Sequence, residues 1–225
     1  MEELPIIDIS SWTQRPLLDK MDLLSQEQLE IASKWDNLFQ KFGFVVLIGH
    51  GIDENEFKVL NGEALNFFHD DLIKKMPYNH GYYGHPAGGY TPPGYEAVAL
   101  STEAASTSNT TKKSLDPVEN FVFTCHPLEY KKPDGESLQP FPSAPKYFER
   151  MTDLLKVLHY ISACALKIPN LDFFQKHYDS SYPGHELLGK NGNALRITHY
   201  PGNSSEILSQ SNHGTGKQSI NILLN

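Results

Sequence analysis

Apolar residues recur at helical spacing in three stretches and at strand spacing at the two ends of the chain. Between residues 26 and 41, Leu29, Ile31, Ala32, Trp35, Leu38 and Phe39 fall on one side of a helix, with Phe42 just beyond. Ser25 stands at its N-cap, and Gly43 supplies a stop that needs no Cβ. Asp53 opens a second helix that should reach Phe68, with Glu56 three residues on in the pattern of a capping box. A long helix is expected over residues 146–166, with Phe148, Met151, Leu155, Leu158, Ser162 and Ala165 along one face, and a shorter one over 171–178. Strands are expected at 5–9 (PIIDI), 44–48 (FVVLI, read as buried), 118–125 (VENFVFTC), 194–200 (ALRITHY) and 219–224 (SINILL). The run from Pro77 to Leu100, rich in Gly, Pro and Tyr, the polar run 101–114 and the Pro-rich run 127–145 read as loops and connectors.

With 225 residues, the chain is long enough for one large domain or two small ones. A net charge of -8 argues against non-specific nucleic-acid binding, which needs a basic surface. A small anionic substrate stays possible, since a pocket can be locally basic in an acidic protein. No apolar run approaches the ~18 residues of a membrane span. The opening MEELPIIDIS is acidic where a signal peptide is basic, and Cys125 and Cys164 form no disulfide framework. A cytoplasmic setting is therefore expected.

The segment SQSNHGTGKQSINILLN, residues 209–225, invites two chemical readings. A phosphate loop would need glycine where Ser211 stands and Ser or Thr where Gln218 stands, and a helix rather than a strand after it. That reading fails. A zinc site finds no support either, because no His or Cys pair sits at ligand spacing near a carboxylate. His50, in the IGHG turn, is expected to satisfy backbone groups, while His69, His159 and His177 read as core-edge or partly exposed side chains.

Several segments carry more information together than singly. LPIIDIS, FQKFGFVVLIGHGI, NFFHDDLIKKM, GYYGHPAGGYTPPGYEAV with DPVENFVF, and LRITHYPG follow one another in that order between Leu4 and Gly202. This succession resembles the isopenicillin N synthase-like branch of the non-haem iron(II), 2-oxoglutarate-dependent oxygenases. The resemblance implies an α+β fold: a helix-flanked double-stranded β-helix, or jelly roll, here incomplete at the C-terminus. It divides the chain into an N-terminal dioxygenase region, 1–125, and a helical segment with the first strands of the oxygenase core, 126–225. The implied cofactors are Fe(II) and 2-oxoglutarate, and the implied activity is oxidation of a small organic substrate with O2. In such enzymes iron is held by His-x-Asp and a distant second His, and an Arg-x-Ser grips the cosubstrate.

On that pattern His213 is the first iron ligand and Tyr200, in the YP pair, a cosubstrate or substrate contact. Tyr82, Tyr83 and Tyr90 either line a substrate pocket or pack in a loop with their hydroxyls in water, and Arg196 points to a sheet face that the sequence leaves open. The sequence departs from the pattern after the HYP strand. Thr215 stands where the carboxylate ligand belongs, nothing after Glu206 is acidic, and neither a second His nor an Arg follows His213. The 225-residue chain is accordingly expected to be a truncated oxygenase, inactive as it stands and prone to self-associate through an open sheet edge. The alternative is a non-catalytic binding or regulatory protein derived from the same family.

Overall fold

A computed structural model describes residues 4–79, 88–94, 118–124, 130–131, 137–138, 140–175, 194–201 and 219–224. The elements in chain order are β1 (Ile6–Asp8), α1 (Ser10–Thr13), a 3-10 turn (Met21–Leu23), α2 (Gln26–Phe42), β2 (Val46–Ile48), α3 (Glu54–His69) and α4 (Leu72–Lys75). A second 3-10 turn (Met76–Tyr78), β3 (Gly88–Thr91), β4 (Glu119–Thr124), β5 (Tyr130–Lys131), β6 (Ser137–Leu138), α5 (Ala144–Ala165), β7 (Ala194–Tyr200) and β8 (Ser219–Leu224) follow. Contacts divide the chain into two compact units, Met1–Phe57 with Pro145–Glu186, and Lys58–Ala144 with Leu187–Asn225. Each unit therefore joins an early stretch to a late one, whereas the boundary at residue 125 came from the family resemblance.

In the first unit β1 and β2 pair in parallel, Ile6 opposite Val46 and Asp8 opposite Ile48. The helix α2 begins as its sequence predicts and goes further. Ser25 accepts from the Gln28 N–H while the Gln28 side chain accepts from the Ser25 N–H, a complete capping box. Gly43 closes the helix at φ 74. The core gathers Ile7, Ile9, Trp12, Ala32, Trp35, Ile161, Cys164 and Leu171. Around this core, Trp12 donates its indole N–H to the Gln28 carbonyl at 3.2 Å. The turn after β2 needs glycine at position 49, where φ is +68 and a Cβ would collide with the side chains of Ser10 and Asp8.

In the second unit the strand order is β3-β4-β7-β8, all antiparallel. Its core is aromatic: Phe67 lies within 5.0–5.6 Å, centroid to centroid, of Phe68, Tyr78, Tyr90, Phe121 and Phe141. Leu60, Ala64 and Phe68, four residues apart, are the buried line of α3. Glu63 on the same helix accepts from both the N–H and the hydroxyl of Ser143, just ahead of α5.

Five expectations need correcting. First, β2 is three residues long and half exposed rather than a buried five-residue strand, because β1 is its one strand partner among the described residues. Second, Asp53 caps α3 alone, accepting from the Asn55 N–H at 2.8 Å; Glu56 turns away to Lys146 at 2.6 Å, a stronger partner than a backbone N–H. Third, α5 meets the core through Leu154, Val157, Leu158, Ile161, Cys164 and Ala165, so Leu158 and Ala165 of the expected face take part, while the buried ones among these six are Ile161 and Cys164. Fourth, the glycine-rich stretch contains β3, and the Pro-rich connector contains the β5–β6 pair. Fifth, of the short helix expected at 171–178, residues 171–172 form a turn, 173–175 are helical, and 176–178, with His177, lie outside the described residues. The fold mixes helices and strands as an α+β chain does, and the described strands form one four-stranded sheet and two strand pairs. No described helix is long and apolar enough to cross a membrane.

Candidate functional site

The strand β7 carries the site because its two faces differ in chemistry. Successive side chains on a strand point to opposite faces. Leu195, Ile197 and His199 face one way, opposite Phe123, Phe121 and Glu119 of β4. Arg196, Thr198 and Tyr200 face the other way, with Val122 and Asn120 beside Arg196 and Thr198. The sheet thus has an aromatic face and a polar face. Arg196, unassigned in sequence, belongs to the polar one.

On the aromatic face, a polar network is sealed among the phenylalanines. The Glu119 carboxylate accepts from Lys75 Nζ at 2.8 Å and from the Tyr90 hydroxyl at 2.5 Å on one oxygen, and contacts His199 Nδ1 at 2.8 Å on the other. A carboxylate oxygen is an acceptor, so Nδ1 carries the hydrogen in this contact. Lys75 also donates to the Phe68 carbonyl at 2.9 Å. The Phe68 ring stacks on His199, centroids 5.0 Å apart and planes at 19°. Lys75, Glu119 and His199 are all under a tenth exposed. Burial pushes the Glu119 pKa upward, but the bonds from His199, Lys75 and Tyr90 outweigh it and hold the carboxyl below its ordinary value. Burial and the neighbouring Glu119 carboxylate push the Tyr90 phenol up, so it stays a donor.

Sequence reading missed this network, since Lys75, Tyr90 and His199 stand 29 to 80 residues from Glu119. A signal was nevertheless present: Glu119 and His199 each occupy the apolar phase of an otherwise alternating strand, followed or preceded by Phe121 and Phe123 or Leu195 and Ile197. Tyr90, read as a pocket or loop residue with a solvated hydroxyl, is instead buried on β3 with its hydroxyl engaged by Glu119.

The polar face carries Tyr200 at the end of β7, 45% exposed, with Thr198 and Asn120 buried behind it. Two hydroxyls and the Arg196 guanidinium share this face, a donor set suited to a carboxylate. His213, Thr215, Tyr82 and Tyr83 lie outside the described residues. Among the described residues, no three His, Cys, Asp or Glu side chains come together as a metal site. Glu119 and His199 do meet, but the Lys75 ammonium already neutralises that carboxylate. The described donor set does not fit an iron centre.

A family model described as "non-haem dioxygenase in morphine synthesis N-terminal" matches residues 4–146. No curated protein matches. Among solved structures, a full-length protein of Neurospora crassa, crystallised in complex with alpha-KG, is 22% identical with a TM-score of 0.56, over 91% of this chain and 56% of that one. A 2OG-Fe(II) oxygenase family protein from Caulobacter crescentus is 18% identical with a TM-score of 0.59, over 92% of this chain and 59% of that one. JOX2, crystallised with 2OG, Fe and JA, is 20% identical with a TM-score of 0.55, over 89% of this chain and 48% of that one. At these identities the likeness is one of fold, and the chain spans about half to three fifths of the length of those structures.

Proposed function

The chain belongs to the non-haem dioxygenase N-terminal family, and from that premise we propose that it supplies the helical region and the first strands of an Fe(II)/2-oxoglutarate-dependent oxygenase acting on a small organic substrate. The observation that carries this reading is the two-faced sheet: an aromatic face packed with α3, and a polar face bearing Arg196, Thr198 and Tyr200. In this reading Tyr200 contacts the cosubstrate carboxylate and His213 is the first iron ligand. The resemblance to isopenicillin N synthase, the jelly-roll architecture and a cytoplasmic setting belong to the same proposal, as does the boundary at residue 125. So does self-association through β8, which ends the strand order of the described sheet.

No chemical step is routed through iron, because the described residues do not form its ligand set. The 225-residue chain is inactive on its own in this reading. Purified anaerobically and supplied with Fe(II), 2-oxoglutarate and O2, it should bind iron weakly and release no succinate. Succinate release that depends on both iron and His213 would overturn the inactivity and require ligands from a second chain. A second reading, a non-catalytic binding or regulatory protein, is favoured by one residue, Thr215 in the place of the carboxylate ligand. The transcript beyond the Asn225 codon separates the two. A downstream His and Arg-x-Ser support the enzyme, and a stop codon with abundant protein supports the binding protein.

A further inference from the structure

The first unit holds a cavity of about 400 Å3 between the start of α3 and the first turns of α5. That volume falls within the range of small-molecule pockets. Its apolar walls are Ile52, Phe57, Met151 and Leu154, and its polar groups are His50 and Tyr147, with Asp53 and Glu54 at the margin.

The hydrogen bonds around the cavity fix what its polar groups offer. The Ile52 N–H donates to His50 Nδ1 at 3.1 Å. An accepting Nδ1 carries no hydrogen in the neutral ring, so Nε2 carries it and is a donor. Among the described residues Nε2 has no partner, and neither does the Tyr147 hydroxyl. Burial and the nearby Glu56 carboxylate push the Tyr147 pKa up, so this phenol keeps its proton.

Charge narrows the guest further. The cations near the cavity are drawn to Glu56: Lys146 Nζ sits 2.6 Å from one carboxylate oxygen, and Arg150 Nε 3.9 Å from the other. Asp53 and Glu54 add negative charge at the margin, which disfavours an anion. A cation would leave the Nε2–H without an acceptor, a lost hydrogen bond at a half-buried donor. A neutral molecule with an acceptor oxygen satisfies both conditions.

We propose that this cavity binds a small neutral molecule with an apolar ring or chain and a carbonyl oxygen that accepts from His50 Nε2–H. The probe is acetophenone, titrated into the 225-residue chain and followed by two-dimensional amide NMR, with toluene and benzoate alongside. Acetophenone should give saturable shifts at His50, Ile52 and Phe57, and benzoate should bind more weakly. Leu154→Trp, which fills the cavity, should abolish the shifts; should that variant fail to fold, Met151→Phe fills the same space. His50→Phe should weaken acetophenone about fivefold, the effect of one neutral hydrogen bond, and leave toluene unchanged. The site is refuted if acetophenone does not saturate or ignores the filling variants. The hydrogen-bond assignment is refuted if benzoate binds tighter or if His50→Phe affects toluene and acetophenone alike.

Discussion

In the first unit Ile7, Ile9, Trp12, Trp35 and Ile161 interlock around a core whose buried polar neighbours, Ser11 and Gln28, are uncharged. In the second, Lys75, Glu119 and His199 lie as deep as the phenylalanines around them. Among the described residues, every buried side chain of a charged type falls in the second unit. The difference is one of tolerance. An apolar core loses energy in proportion to the volume removed. A buried ionic network loses far more when one member is removed, because the survivors keep their desolvation cost without a partner.

The sharpest way to break that contrast is Glu119→Ala. It strips Lys75, Tyr90 and His199 of a shared acceptor at once, and the expected loss is about 3–5 kcal/mol in a urea titration. A loss under about 1 kcal/mol would mean that water reaches the network. Lys75→Met combined with Glu119→Gln removes both charges and retains an amide oxygen for Tyr90 or His199. This pair should recover most of the loss, since replacing a buried ion pair outright is often near neutral. The same network predicts two pH limits. Glu119 has its folded pKa lowered from 4.5, so its contribution is full above that value and is lost as pH falls through the lowered one. Tyr90 has its folded pKa raised from 10.0, so its contribution is full below that value and fades as pH climbs above it. Stability of Glu119→Gln, followed from neutral pH downward, should fall less steeply than that of the parent.

By comparison Ile161→Val, in the apolar core, should cost about 0.5–1.5 kcal/mol. Ile161 is fully buried, and the change removes one methylene without orphaning a polar group. If its cost matched that of Glu119→Ala, the two cores would not differ in the way proposed.

The first unit was also the more legible in sequence. Ser25, the Trp35 stripe and Gly43 are local signals, and α2 follows them to within one residue. The strands β7 and β8 were equally plain, since ALRITHY and SINILL are bounded by polar and glycine-rich stretches. What escaped was decided by tertiary contact. The strand β3 begins with two glycines, which hold no pattern, and pairs with β4 across a long stretch of chain. The turn of Glu56 toward Lys146 joins two distant helices, which no capping rule anticipates. The polar face was found only at Tyr200, through family resemblance; Arg196 and Thr198 joined it once the register was known.

The two tyrosines on opposite faces of the sheet give the finest test. Tyr90 is buried with its hydroxyl on Glu119, so Tyr90→Phe removes one of the bonds that offset the burial of that carboxylate. The expected cost is about 1–3 kcal/mol. Tyr200 is 45% exposed at the end of β7, and its hydroxyl bonds to no described residue. Tyr200→Phe should therefore leave the urea midpoint unchanged within about 0.5 kcal/mol. A hydroxyl that the fold does not need is available to a ligand, whereas one that the fold requires is not. If Tyr200→Phe proved as costly as Tyr90→Phe, Tyr200 would be part of the packing, and the polar face would lose its outermost donor for a carboxylate.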